Sequence, residues 1–123
     1  MTRYFTKDHE WIDVADGVGT VGITNYAQGQ LGDITFVELP TLGRDVARAE
    51  AVSVVDSVKA ASDVYTPVTG TVTDTNAALE SEPELVNTDA DVSGWLFRVR
   101  LADAAELDSL MDQAAYDAYV AGL

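Results

Sequence analysis

Thiol chemistry is closed to this chain, which contains no cysteine, and imidazole chemistry is confined to one residue, His9. There can be no disulfide framework, no thiolate nucleophile and no Cys-based zinc site. A metal site would have to be built from carboxylates around His9, and a Ser-His-Asp relay would have to use the same ring. Ser53, Ser57, Ser62, Ser81, Ser93 and Ser109 all lack the G-x-S-x-G setting of a nucleophile elbow, so neither arrangement gains support. His9 reads as a structural residue beside Trp11. The acid pairs Asp8/Glu10 and Glu80/Glu82 could exchange protons in principle, but charge runs on so acidic a chain read as solvated surface. Gly17-Val18-Gly19-Thr20-Val21-Gly22 matches the G-x-G-x-x-G string, which binds a dinucleotide only where it follows a strand and opens a helix. Gly22 runs instead through Ile23-Thr24-Asn25 into Gln28-Gly29-Gln30-Leu31-Gly32, with no room for a crossover helix. The glycines read as turn and strand-edge positions.

Lysine chemistry is the exception. Lys7 and Lys59 are the only two lysines, and Lys59 falls midway between two candidate strands in Val54-Val55-Asp56-Ser57-Val58-Lys59-Ala60-Ala61-Ser62-Asp63. Its small neighbours Ser57, Ala60 and Ala61 leave it projecting. A modifying enzyme can reach a lysine at a turn tip, and a long acyl arm attached there is free to swing. An ordinary solvated hairpin lysine would show the same spacing.

The elements that must position this lysine are mostly short β-branched or aromatic runs broken by Gly, Pro, Asn and Asp. Strands are expected over 11–14, 18–23, 34–38, 51–56, 63–66, 70–74 and 95–101. Asp16-Gly17 is a hairpin-type turn between the first two, and Thr24 is placed to cap one helical turn through Asn25-Tyr26-Ala27. From Ala102 the period changes: Leu107, Leu110, Met111, Ala114, Ala118 and Tyr119 recur at helical spacing, which predicts a C-terminal helix over about 103–121. Asp103 and Glu106 suit the dipole of its first turn, and its apolar stripe reads as core packing. Gly32-Asp33-Ile34 leading to Leu39-Pro40 faintly echoes Ser62-Asp63-Val64 leading to Thr66-Pro67, as in a barrel of two similar halves. The expected fold is mostly β: a flattened β-barrel or sandwich with short helices and a C-terminal helix.

Length and charge bound the function. The 123 residues suit a single domain, 1–123, with one core. No apolar run approaches the ~20 residues of a membrane helix, and the N-terminal residues resemble neither a secretory signal nor a transit peptide, so a cytoplasmic location is expected. Seven basic against twenty-one acidic residues give a net charge of −14, which repels nucleic acid and anionic membranes. Such acidity serves solubility first and could also favour docking onto basic faces of partner enzymes.

Read together, the flanks of Lys59 resemble the H protein of the glycine cleavage system. The resemblance rests on His9-Glu10-Trp11, Gly22-Ile23-Thr24 with Tyr26-Ala27-Gln28, Leu31-Gly32-Asp33-Ile34, and Phe36-Val37-Glu38-Leu39-Pro40. It continues through the lysine segment to Thr66-Pro67-Val68-Thr69-Gly70, then Pro83-Glu84-Leu85-Val86-Asn87 and Gly94-Trp95. This many segments in family order span nearly the whole chain.

The resemblance implies lipoate in amide linkage on Lys59, so that the cofactor supplies the sulfur the sequence lacks. It implies a non-catalytic shuttle with three partners. A pyridoxal-phosphate glycine decarboxylase loads an aminomethyl group, a tetrahydrofolate-dependent aminomethyltransferase unloads it, and dihydrolipoyl dehydrogenase reoxidises the dithiol with a flavin and NAD. A lipoate ligase or lipoyl/octanoyl transferase would modify Lys59. The family's glutamate three residues before the lysine is Asp56 here, which keeps the charge and loses one methylene, and Gly70 fits the second position linked to lipoylation. Glu10 and Asp63 map onto the groove that shelters the loaded arm. Two other readings share this architecture: a biotinyl or lipoyl domain of another complex, and an H-like protein relaying octanoyl or lipoyl groups. A biotin carrier is expected to have methionine beside its lysine, where this chain has Val58 and Ala60.

Overall fold

Two antiparallel sheets arise from these runs, as seen in a computed structural model that describes residues 2–123. In chain order the elements begin with β1 (Thr2–Phe5), β2 (Glu10–Ala15), β3 (Val18–Ile23), α1 (Asn25–Leu31), β4 (Ile34–Glu38) and β5 (Asp45–Val46). There follow β6 (Ala51–Ser57), β7 (Ala61–Tyr65), β8 (Gly70–Thr75), α2 (Ala78–Ser81), α3 (Leu85–Thr88) and β9 (Phe97–Leu101). A 3-10 helix (Ala104–Ser109) and α4 (Gln113–Ala121) end the chain. One sheet runs β1-β2-β3-β9-β8-β5 and the other β4-β6-β7, so the mostly-β expectation holds as an open sandwich rather than a closed barrel. No helix among the described residues is long and apolar enough to cross a membrane.

The alternation of β-branched residues decides which face turns inward. Val21, Val55, Val72 and Val99 point between the sheets, where Ile12, Val68, Leu79, Val86, Leu96 and Phe97 join them with at most 1% of their surface exposed. At ~25 cal/mol per Å² of apolar surface, each such side chain contributes about 1.5–3 kcal/mol before entropy is counted. The two echoing segments occupy matching places: β4 and β7 flank β6 on either side.

Local signals set several boundaries. Asp16 and Gly17, with φ of 53° and 77°, make the left-handed turn that joins β2 to β3. Thr24 caps α1 by accepting from Ala27 N, but the helix continues to Leu31, beyond the single turn expected. The C-terminal segment departs further from expectation. One helix over 103–121 is replaced by the 3-10 helix and α4, because Met111 leaves the helix to pair with Phe5 through two backbone hydrogen bonds of 2.8 and 2.9 Å. Asp103 caps the first piece at Ala105 N, and Asp112 caps the second at Ala115 N. Tyr116 then stacks on Phe5 with ring centroids 4.6 Å apart, completing a second small core with Trp11.

Of the three glycines in the G-x-G-x-x-G string, only Gly17 is a turn residue. Gly19 lies inside β3 between β2 and β9, which corrects its strand-edge reading, whereas Gly22 pairs with Trp11 of β2 beyond the end of the β9 ladder. A Cβ on Gly22 would come 2.5 Å from the Trp11 ring, and one on Gly19 would come 2.4 Å from Ile12 Cδ1. Gly70 is tighter still, with 1.9 Å from such a Cβ to Arg100 O of the neighbouring β9. Backbone cannot retreat as a flexible side chain can, so Gly70→Ala must part β8 from β9. A loss of roughly 3 kcal/mol is expected in urea unfolding; an unchanged midpoint would show that the strands do not approach this closely.

Candidate functional site

The hairpin between β6 and β7 is closed by one small polar side chain. Ser57 N donates to Ala60 O at 2.8 Å, while Ser57 Oγ accepts from Lys59 N at 3.1 Å and Ala60 N at 3.2 Å. The backbone is thereby satisfied without bulk, and Val58, Lys59 and Ala60 stand exposed. Val58 N also donates to Asp33 O at 3.0 Å, which fastens the tip to the segment ahead of β4. Sequence reasoning valued Ser57 only for its size; its hydroxyl is what shapes the turn.

Lys59 does not point freely away. Its stem lies over Gly32, where a Cβ would come 3.3 Å from Lys59 Cε and 3.6 Å from Nζ. Gly32 ends α1 at φ 80°, a conformation that favours glycine on its own account. Asn87 holds this corner from α3: its Nδ2 donates to Gly32 O and Gln28 Oε1 at 2.9 Å each, and its Oδ1 accepts from Ile34 N at 2.8 Å. The end of α1 and the start of β4 are thus fixed to each other beside the lysine.

Next to this corner opens a cleft of about 310 Å³, lined by α1, β7 and the turn before β2. Ile23, Ala27, Leu31, Val55 and Val64 give it an apolar wall, and the acidic residues Glu10 and Asp63 are also in its lining. Such a lining suits an extended apolar arm that ends in a cation. The structure therefore brings Glu10 and Asp63, 53 residues apart, to one cleft, and Lys59 lies over Gly32, which follows the lining residue Leu31. Tyr26 and Gln30 also line it, four apart on one face of α1; the spacing was legible, but only for a helix longer than one turn. Ser62 lies opposite fully buried Val55 and shares its inward face.

Glu10 is the most perturbed acid. Only 2% of it is exposed, and burial pushes its carboxyl up to about 7 despite hydrogen bonds from Tyr65 N at 2.8 Å and Thr6 Oγ1 at 2.9 Å, with Asp8 adding a smaller upward push. Asp63 is exposed at the border of the cleft. His9 is structural, but its partner is not Trp11. Its Nδ1 meets Tyr116 OH at 2.8 Å, its ring packs against Tyr26 at 4.6 Å, and desolvation lowers its pKa. Tyr116 OH lies 2.7 Å from Thr24 Oγ1, so this chain of hydroxyls joins α4 to the cap of α1.

Asp56 and Gly70 are placed very differently. Asp56 follows fully buried Val55 in β6, so its side chain takes the outer face of the three-stranded sheet. Gly70 is buried between β5 and β9, and its need for glycine is one of packing.

The family model described as "Glycine cleavage H-protein" matches residues 3–122. A glycine cleavage system H protein of Rhodospirillum rubrum is 60% identical over 121 residues, covering 98% of this chain and 96% of that protein. Its counterpart in Bradyrhizobium diazoefficiens is 58% identical over 120 residues, covering 98% of each. The crystal structure of a glycine cleavage system H protein from Mycobacterium marinum superposes with a TM-score of 0.89 at 36% identity, over 99% of this chain and 98% of that one. With fold, length and sequence in agreement from end to end, the chain belongs to the glycine cleavage H-protein family.

Proposed function

We propose that Lys59 bears lipoate in amide linkage and that the protein works as a non-catalytic shuttle. The glycine decarboxylase would load it with an aminomethyl group, the aminomethyltransferase would unload it, and dihydrolipoyl dehydrogenase would reoxidise it. The observation that carries this reading is the exposed Lys59 on a tip of small residues, with its stem laid over Gly32 beside a cleft of matching chemistry. Bound lipoate would supply a dithiolane that accepts and releases the cargo. The chain's own residues do the rest: Ser57 presents the lysine, Asp56 marks it for the modifying enzyme, and Gly70 lets the sheet behind it close.

Shelter falls to Glu10 and Asp63. An amine of ordinary basicity, with a pKa near ~10, is a cation at neutral pH, and water would release it with formaldehyde if nothing held it. Carboxylates at the cleft hold that cation by charge-assisted hydrogen bonds while the apolar wall takes the methylenes. Empty, the cleft leaves Glu10 near half-ionised at neutral pH. An arriving ammonium pulls its pKa down and completes the ion pair.

Three outcomes are expected. Incubation with lipoate ligase, ATP and lipoate should add the lipoyl mass to the wild-type chain and none to Lys59→Arg; a modified Lys59→Arg chain removes the assignment. Isolated loaded protein should release formaldehyde faster when Glu10→Gln and Asp63→Asn are combined, with lipoylation intact. The mutant-to-wild-type rate ratio should shrink as pH falls below 7, at a midpoint displaced downward by the cargo's charge; equal rates at all pH values would refute the shelter. Finally, the folded state holds the Glu10 proton more tightly than the unfolded chain does, so this group's contribution is fully present at low pH. It is lost as pH rises from about 4.5 to about 7. Above pH 7 unloaded Glu10→Gln should therefore unfold later than wild type, by up to about 3 kcal/mol, with the gain vanishing near pH 4. Parallel urea curves at the two pH values measure it.

A further inference from the structure

The outer face of β4-β6-β7 presents a half-exposed aromatic side chain. In β6, Val55 is fully buried and registers with Val37, which is 2% exposed, so the residues alternating with them face solvent. Phe36, Asp56 and Ala61 form one cross-strand row on that face, and Glu38 and Val54 form the next, which ends in Asp63 on edge strand β7, where it borders the cleft. Phe36 is 52% exposed and Val58, in the tip that follows β6, is 66% exposed. None of the three strands contains a lysine or arginine, whereas Glu38, Asp56 and Asp63 give each strand one carboxylate.

From this placement we infer that Phe36 is the apolar anchor by which the enzyme that acylates Lys59 grips its protein substrate. The inference rests on the reading of Lys59 as the attachment site. Asp56 is three residues before Lys59, a separation that the reach of the chain limits to at most roughly 10 Å, and Phe36 is its direct cross-strand neighbour at about 5 Å. An enzyme that closes its catalytic centre on the lysine from this side covers both. The complementary surface is an apolar pocket with arginines or lysines around it, facing Asp56 and Glu38. Charge then supplies orientation and encounter rate, whereas the buried ring supplies residence, the usual division between charged surroundings and an aromatic anchor. The loop residue Leu42 is exposed to a similar extent, 60%, but lies outside both sheets and serves as an internal comparison.

The test uses the unmodified full chain with lipoate ligase, ATP and lipoate, read by intact mass over a range of protein concentrations. Phe36→Ala should raise the KM for the protein substrate roughly tenfold or more with kcat within about twofold. Phe36→Leu should recover much of the loss, and Leu42→Ala should match wild type. Thermal unfolding should be unchanged in Phe36→Ala, which separates lost docking from lost fold. An unaltered KM in Phe36→Ala, an equal loss in Leu42→Ala, or a fall in kcat alone each overturns the inference. So does a wild-type dimer in sedimentation that Phe36→Ala dissociates, since the face would then be covered by a second copy. A lipoyl mass on Lys59→Arg, by contrast, removes the underlying reading of Lys59 rather than the docking argument specifically.

Discussion

The register of β6 is the constraint on which the site depends. Val55 is wholly buried opposite Val37 on one side and Ser62 on the other, and a slip of one residue would turn it to solvent and drive Asp56 into the core. The burial of an unpaired carboxylate costs several kcal/mol or forces its protonation, so the register has a steep penalty on either side. Everything at the tip inherits this choice. With Val55 inward, Ser57 falls where its hydroxyl can close the turn, Lys59 falls at the apex, and Asp56 falls on the face a partner can touch.

A second consequence concerns the cost of keeping a carboxyl in the interior. Glu10 is held by Tyr65 N and Thr6 Oγ1, which would favour its ionised form, but burial outweighs them and lifts the carboxyl to about 7. Glutamine could accept one of those hydrogen bonds without any charge. On the proposed function the acid has a use: it is costly while the cleft is empty and stabilised when a cation enters.

Close approach explains four of the glycines. Gly19 and Gly22 give way to Ile12 and Trp11 from β2, Gly70 gives way to a β9 carbonyl, and Gly32 leaves room for the stem of Lys59. Four positions share one residue type and one physical reason, and the last two bear on the proposed function. The aromatic side chains do the complementary work, with Tyr116 stacked on Phe5 and hydrogen-bonded to His9 and Thr24, so the C-terminal helix is tied to the turn and cap that border the cleft.

Local chemistry by itself determined a good deal of this protein. The β3 and β4 spans, the Asp16-Gly17 turn, the Thr24 cap and a small-residue tip at Lys59 depend on neighbours a few residues away, and each could be read from the chain. Tertiary structure decided the remainder, because the partners are distant. Two-residue β5 exists only by pairing with β8, and β1 gains its place from β2 and Met111. The same pairing of Phe5 with Met111 interrupts a helix whose apolar period looked continuous. His9 found Tyr116 rather than Trp11, and Asn87 found the end of α1, across 107 and 55 residues respectively. Glu10 and Asp63 became neighbours in one cleft for the same reason: strand pairing converts sequence distance into contact, and no local period records which strands will pair.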